Sequence, residues 1–553
     1  MVNHFLDRIA LAGRLERQLT NDDRRLRLAP ATVIGLVVRN LVVGHRPVYA
    51  LGEWAAAYEP GLLGLGDGEA EALNDDRVGR MLDRLFDADR ASLITEVVLG
   101  VIRDFHLDVS QLHNDSTTVS FSGNYAGATG RPRGGQATPA ITYGHNKDHR
   151  PDLKQLLWIL TVSADGAVPI AYRTADGNTP DDVTHIPTWD GLVALVGRAD
   201  FLYVADSKLC SAEAMGHIAS RGGRFVTVMP RGRREDTWFR DWAQAHAPDW
   251  AEAERRPGAR PGDPDEVWRT FVAPMPSAEG YRVVWVHSSA KAARDANARA
   301  ARVEAGLAAV EAIGVRLASP KSRLRTRVAA EEAATAAIAA AGAGRWVGFV
   351  VTETAKESFR QERRGRPGAD TRYRRNLKSV FSIEAAVKAD AIAYDAATDG
   401  CFPLVSNAED LAPAEVLAKY RYQPNLERRN HMLKGPQEVA PVFLENPHRI
   451  EAILLCQFLA LLTEALIERE IRASMKAAGL SGIPHYPELR HCPAPSAPRV
   501  LEIFTGVARH HLMRDGQIVQ VFHPTLTDLQ HQVLELLHVS PDVYATASAP
   551  LSP

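Results

Sequence analysis

Residues 155–175, QLLWILTVSADGAVPIAYRTA, decide the fold. Two runs rich in β-branched and aromatic residues flank Ala164-Asp165-Gly166, and a short Gly-containing loop between such runs marks an antiparallel hairpin. Upstream, QLHNDSTTVSF (111–121) is a third β-rich run. Downstream the pattern changes. PDDVTHIPTWDGLVALVG reads as a helix, DFLYVA as an apolar strand, the residues after Ser211 as a second helix, and RFVTVMP as another strand. Three antiparallel strands followed by alternating helices and strands predict an α/β domain, a mixed sheet with helices on its faces.

The flanks divide the 553 residues further, as the length itself favours several domains. Residues 1–105 read as an all-helical N-terminal domain, with apolar residues at helical spacing in PATVIGLVVRNLVV and DDRVGRMLDRLF. Its LGLGDGEAEAL lacks the G-x-x-x-x-G-K-[ST] spacing of a nucleotide loop. The sheet domain occupies 106–229. Residues 230–400 interrupt it with clustered tryptophans (Trp238, Trp242, Trp250, Trp268, Trp285), the strands EVWRTFVAP and YRVVWVHSS, and an Ala-rich helical pair from about 289 to 342. The tryptophans read as core packing. The strand CFPLVSN resumes the core over 401–480, which includes a long helix near 446–477. Residues 481–553 form a small C-terminal extension ending in the disordered-looking ATASAPLSP.

Composition excludes several classes. Hydrophobic and charged fractions of 45% and 24% are those of a soluble globular protein. The N-terminus, MVNHFLDRIALAGRLERQL, reads as an amphipathic helix broken by charges rather than a signal peptide. The apolar run Ile453–Ile467 is too short to span a bilayer, so no membrane association is expected. Four scattered cysteines without a C-x-x-C pair argue against a zinc site and fit a reducing cytoplasm. No H-E-x-x-H or G-x-S-x-G is present. A formal charge of −2 does not favour nucleic acid, but charge distribution matters more than its sum. From Lys356 to Lys378 there are nine Lys/Arg against three acids.

Chemistry concentrates in three acids. Asp115 lies within a β-rich run, Asp206 directly follows an apolar strand, and Glu427 lies in a helical segment much later in the chain. Carboxyl ends of strands are where sheet-based sites gather ligands. On an ideal helix, Tyr420, Gln423, Glu427 and Lys434 fall at roughly 0°, 300°, 340° and 320°, a single stripe of aromatic, amide, carboxylate and amine. Alone, each acid has an ordinary use as a helix cap, turn former or solvated face. Together they are the hard oxygen ligands that divalent cations prefer, and two such ions can activate water and stabilise a leaving phosphate oxygen.

Three stretches carry a family resemblance. LHNDSTTVSFSGNY is followed by GHNKDHRPDLKQ and DGNTPDD. DFLYVADSKLCS comes next. KYRYQPNLERRNHMLKG is preceded by DGCFPLVSN and followed by NPHRIEAILLCQFLALL. In this order they resemble the first-aspartate, second-aspartate and glutamate segments of the cut-and-paste DDE transposases of bacterial insertion sequences, in the branch marked by Y-x2-R-x3-E-x6-K. LNDDRVGRMLDRLF resembles the leading helical domain of one subgroup.

The resemblance implies an RNase H-like catalytic domain with a large insertion where residues 230–400 lie. It implies that Asp115, Asp206 and Glu427 are catalytic and ligate Mg2+, with Mn2+ able to substitute. The partner is then double-stranded DNA, both transposon ends and target, bound by a homodimer in the synaptic complex within the cytoplasm, at the nucleoid. Tyr420, Gln423 and Lys434 would contact phosphates near the transferred end. Arg360, Arg363, Arg364, Arg366, Arg372, Arg374, Arg375 and Lys378 are the expected DNA-backbone contacts. The sequence departs from the family at Gln423, an uncharged amide in place of arginine, and at Pro424, which removes a helical donor. That departure leaves an alternative: a catalytically inactive or domesticated transposase that binds DNA without cutting it.

Overall fold

The hairpin read from Ala164-Asp165-Gly166 forms between β2 (Lys154–Ser163) and β3 (Pro169–Asp176) in the computed structural model. Residues 1–19, 26–258, 260, 262–435, 444–486, 488, 490–515 and 517–545 are described, so the tail ATASAPLSP lies almost wholly outside them. Gly166 takes φ +82°, and a Cβ there would sit 2.8 Å from the Cβ of Arg469, so both conformation and space require glycine. β1 (Gln111–Phe121) pairs antiparallel with β2, placing Asp115 opposite Leu160. β4 (Leu202–Ala205) runs parallel to β1, and β5 (Arg224–Val228) parallel to β4. Along β3-β2-β1-β4-β5, β1 has a hydrogen-bonded neighbour on each side. All its residues except Asp115 and Ser120 are buried, as expected of a strand covered on both faces.

These strands belong to a compact unit made of Met1–Thr227 and Ala418–Pro553. The helices His185–Val196 and Ala212–Ser220 connect β3 to β4 and β4 to β5. The organising element is the helix Pro447–Ala477, buried at every position from Ile450 to Glu468. It is longer than the apolar run suggests and is long and apolar enough to cross a membrane. A helix apolar all round is also what a protein core requires, and 94% of its most apolar window is buried within the protein. β3 packs on it through Tyr172, whose ring lies 5.1 Å from Phe458 and stacks on Trp158 at 4.6 Å. The N-terminal helices Pro30–Arg39 and Asp75–Asp87 pack on the same helix. The segment read as a leading domain therefore shares one compact unit with the sheet, because its apolar faces bury against this central helix.

The second unit, Val228–Leu417, spans the segment expected as an insertion. Its strands β6 (Ala251–Arg256), β7 (Glu266–Val272), β8 (Arg282–Ser288) and β11 (Cys401–Ser406) pair antiparallel in the order β11-β8-β7-β6. CFPLVSN forms β11, whose antiparallel partner is β8. Its tryptophans pack with other rings: Phe239 stacks on buried Trp285 at 3.7 Å, and Trp242 on Phe271 at 5.5 Å. Between β8 and β11 the chain makes the helices Ser289–Ala318 and Arg327–Ala340, then a long hairpin of β9 (Val347–Gln361) and β10 (Tyr373–Val387). Ile313, Leu317, Ala330, Val351 and Phe381 join the base of that hairpin to the helices.

Candidate active site

The parallel register of β1 on β4 runs Gln111↔Leu202, Leu112↔Tyr203, His113↔Val204. Asp206 stands one residue past the end of β4, so the parallel pairing brings it toward the part of β1 that carries Asp115. Asp206 begins the turn after β4, where its Oδ1 accepts from the Lys208 N–H at 3.0 Å. Its own carbonyl accepts from the Thr227 hydroxyl of β5 at 2.6 Å.

The third acid arrives on the helix Gln423–Lys434, which packs against β1 and β2. Gln423, Leu426, Arg429, Asn430 and Leu433 are buried on its inner side, while Glu427 is exposed. One turn on from Glu427, the Asn430 Nδ2 donates to Asp115 Oδ2 at 3.2 Å. The charges of the acids bear on two neighbouring groups. Burial pushes the Asp115 carboxyl up to about 6, the charges of Asp206 and Glu427 push the same way, and Lys147 opposes them. Burial also pushes the Tyr420 hydroxyl up to about 12, with Asp206, Glu427 and Asp115 all contributing.

The three carboxylates supply only oxygen donors, the set that suits Mg2+ or Mn2+. Among the described residues, no group of three or more His, Cys, Asp or Glu is gathered tightly enough to hold one ion. Asp206 caps the Lys208 amide, and Glu427 stands on an exposed face. A donor set of hard oxygens around a carboxyl that is costly to ionise nonetheless fits a divalent cation, which would remove that cost.

A carboxyl raised from 3.8 to about 6 holds its proton more tightly in the folded protein than in the unfolded chain. Its contribution favours folding below the unfolded value and is lost as pH rises through about 6. In EDTA at pH 8, Asp115→Asn should therefore stabilise the protein by about 1–2 kcal/mol, after discounting for partial exposure. The Tm gain should vanish near pH 4, and an equal gain at both pH values would refute the electrostatic origin.

The stripe drawn on one ideal helix is broken. Tyr420 ends the helix Pro413–Tyr420, and Gln423 begins the next with Pro424 in its first turn. Gln423 does not face a phosphate: it is buried, its Oε1 2.8 Å from His113 Nδ1 and its Nε2 donating to the Asn114 carbonyl at 3.2 Å. The expected DNA contact is a packing residue, because the turn before Pro424 rotates the amide onto β1. Lys434, in the last turn, holds Asp148 at 2.7 Å.

Sequence reading assigned no role to Asn430, Lys147 or His185. Lys147 donates to the Ser116 carbonyl and hydroxyl at 2.6 and 2.8 Å and pairs with Asp181 at 3.0 Å. His185 is buried, with Nδ1 3.2 Å from the Tyr203 hydroxyl and Nε2 4.0 Å from Asp206 Oδ1. Burial holds its imidazole below the ordinary value against the pull of Asp206, Asp181 and Asp182. Asn430, three residues after Glu427, was accessible from helical spacing alone. Lys147 lies in GHNKDHRPDLKQ and His185 in PDDVTHIPTWDGLVALVG, and nothing local joins them to the acids.

The basic stretch is the distal part of the β9/β10 hairpin, and all its cationic side chains are exposed. Lys356 lies opposite Lys378, and Arg360 opposite Arg374, so these four share one face with Ser358 and Asn376. Arg363, Arg364 and Arg366 lie in the connecting loop with Arg372. Arg375 points to the other face, paired with Glu357 beside exposed Phe359, Leu377 and Tyr373. It stands apart from the cationic face because strand alternation places it there.

The family described as a domain of unknown function, DUF4277, matches residues 1–99, the N-terminal helices. No curated protein matches the chain. Among solved structures, a piggyBac transposase in a synaptic complex with hairpin DNA aligns at a TM-score of 0.26 and 11% identity. That alignment covers 52% of this chain and 60% of the other. A TM-score of this size carries no assignment of fold or activity.

Proposed function

We propose that this chain is a divalent-metal-dependent DNA transposase of the insertion-sequence type, with an RNase H-like core whose catalytic groups are Asp115, Asp206 and Glu427. The observation that supports the reading is the parallel pairing of β1 with β4, which brings Asp206, just past the end of β4, toward the strand that carries Asp115, with the Glu427 helix held to Asp115 through Asn430. The ordered sequence motifs supply the reaction class. Mg2+ or Mn2+ at such carboxylates activates a water and stabilises charge on the leaving oxygen. Asp115, held by Asn430, and Asp206, anchored by its cap, would be the ligands on the sheet. Glu427 would complete the site from the helix. Tyr420 and Lys434 would serve as phosphate contacts, Lys434 exchanging Asp148 for a phosphate.

The cationic face of the β9/β10 hairpin supports a nucleic-acid partner. Like charges directly opposite one another destabilise a hairpin, so Arg360/Arg374 and Lys356/Lys378 are unfavourable pairs unless an anion lies across them. Replacing Arg360 and Arg374 with alanine should lower the slope of log affinity against log salt for duplex DNA by about 2. Thermal stability should be unchanged or slightly higher. An unaltered salt slope would remove this face from the DNA path.

The test of the function is a nicking assay with purified protein, Mg2+ and a duplex bearing the element's terminal repeats. Cleavage at the repeat boundary is the expected result. The alternative, a DNA-binding protein that does not cut, predicts a bound and intact duplex. Its support is Gln423, engaged with His113 and the Asn114 carbonyl, and Pro424 beside it.

A further inference from the structure

We propose that His185 is a positioning residue for Asp206, its Nε2–H being the group that fixes this carboxylate for a divalent cation. The inference rests on the reading of the acid cluster given above. His185 opens the helix His185–Val196 with only 4% of its side chain exposed. Its Nδ1 lies 3.2 Å from the hydroxyl of Tyr203, which is wholly buried on β4 three residues before Asp206. When that hydroxyl donates to Nδ1, the ring proton resides on Nε2. Nε2 is buried and makes no hydrogen bond. Buried N–H groups without an acceptor are rare and unfavourable, so packing accounts for one side of this ring and not the other.

The acids around the imidazole narrow the choice of acceptor. Asp181 is already paired with Lys147 at 3.0 Å. Asp206 Oδ1 lies 4.0 Å from Nε2 while accepting from the Lys208 amide. A movement of about 1 Å brings it within ordinary hydrogen-bonding distance of Nε2. Carboxylates that bind metals are generally held by such an outer partner, and its removal lowers metal affinity about 10- to 100-fold.

The test is Mn2+ binding to the DNA-free protein, followed by electron paramagnetic resonance, in wild type, His185→Gln and His185→Phe. Glutamine places an amide N–H near the position of Nε2, whereas phenylalanine keeps the ring volume without a donor. His185→Phe should weaken Mn2+ at least about tenfold, and His185→Gln should stay within about threefold of wild type. A wild-type affinity in His185→Phe would overturn the inference, as would equal losses in both variants, which would mark a structural role. Asp206→Ala serves as reference. If wild type and Asp206→Ala bind Mn2+ equally, the acid-site reading fails and this inference falls with it.

Discussion

Asp115→Ala, Asp206→Ala and Glu427→Ala should each lower Mg2+-dependent cleavage of end-bearing DNA about a thousandfold or more. The magnitude follows from the several kcal/mol of transition-state stabilisation that a well-placed divalent ion supplies, since about 4 kcal/mol is three powers of ten in rate. Duplex binding should stay within about threefold or tighten, because removing a carboxylate removes a charge that repels phosphate. The fold should tolerate each change. Glu427 is exposed and Asp206 half-exposed, and Asp115 is a carboxyl that burial penalises when ionised. Asp206→Ala also loses the cap on the Lys208 amide, worth about 1 kcal/mol. Retained cleavage in any one variant would remove that acid from the site, and a loss of binding equal to the loss of cleavage would point to a structural role.

Arg429→Met should be the most destabilising of the substitutions considered, by about 3–5 kcal/mol. Arg429 is two residues from Glu427 and joins its helix to the central helix through Glu468 at 2.9 Å, with both side chains almost fully buried. It also donates to the carbonyls of Ala167 and Gly166, in the turn between β2 and β3. Burial pushes the Glu468 carboxyl up, but Arg429, Arg472, Arg428 and the Ala497 N–H together bring it below its usual value. That stabilisation is present above the ordinary carboxylate value and is lost as pH falls through the lower folded one. Taking away Arg429 leaves the carboxylate with Arg472 at 3.3 Å and the half-exposed Arg428 at 3.5 Å. Adding Glu468→Gln should restore part of the loss, since a neutral amide can still accept from Ala497. A loss below about 1 kcal/mol for Arg429→Met, measured by thermal unfolding at pH 7, would show that the pair is not what seats this helix.

The sheet was legible because its signals are local. The Ala164-Asp165-Gly166 turn, the β-rich runs around it and the apolar strand before Asp206 each fit within a dozen residues. The stripe from Tyr420 to Lys434 misled because it assumed one straight helix, whereas the turn before Pro424 buries Gln423 and leaves Glu427 outward. CFPLVSN fits any antiparallel neighbour by composition, and its pairing with β8 depends on contacts that no single window contains. The same holds for His185 and Lys147, whose relation to Asp206 and Asp115 exists only after β1 and β4 align. The cationic face was visible as a charge run but not as a face. Only the hairpin register separates Arg360, Arg374, Lys356 and Lys378 from Arg375.

The most direct measurement loads the purified protein with Fe2+ in place of Mg2+, adds ascorbate and peroxide, and maps where locally formed radicals cut the polypeptide. Cuts clustered around Asp115, Asp206 and Glu427, and suppressed by excess Mg2+, are the expected result. Cuts that fall elsewhere, or that include one acid and miss the other two, would contradict a shared divalent-metal site.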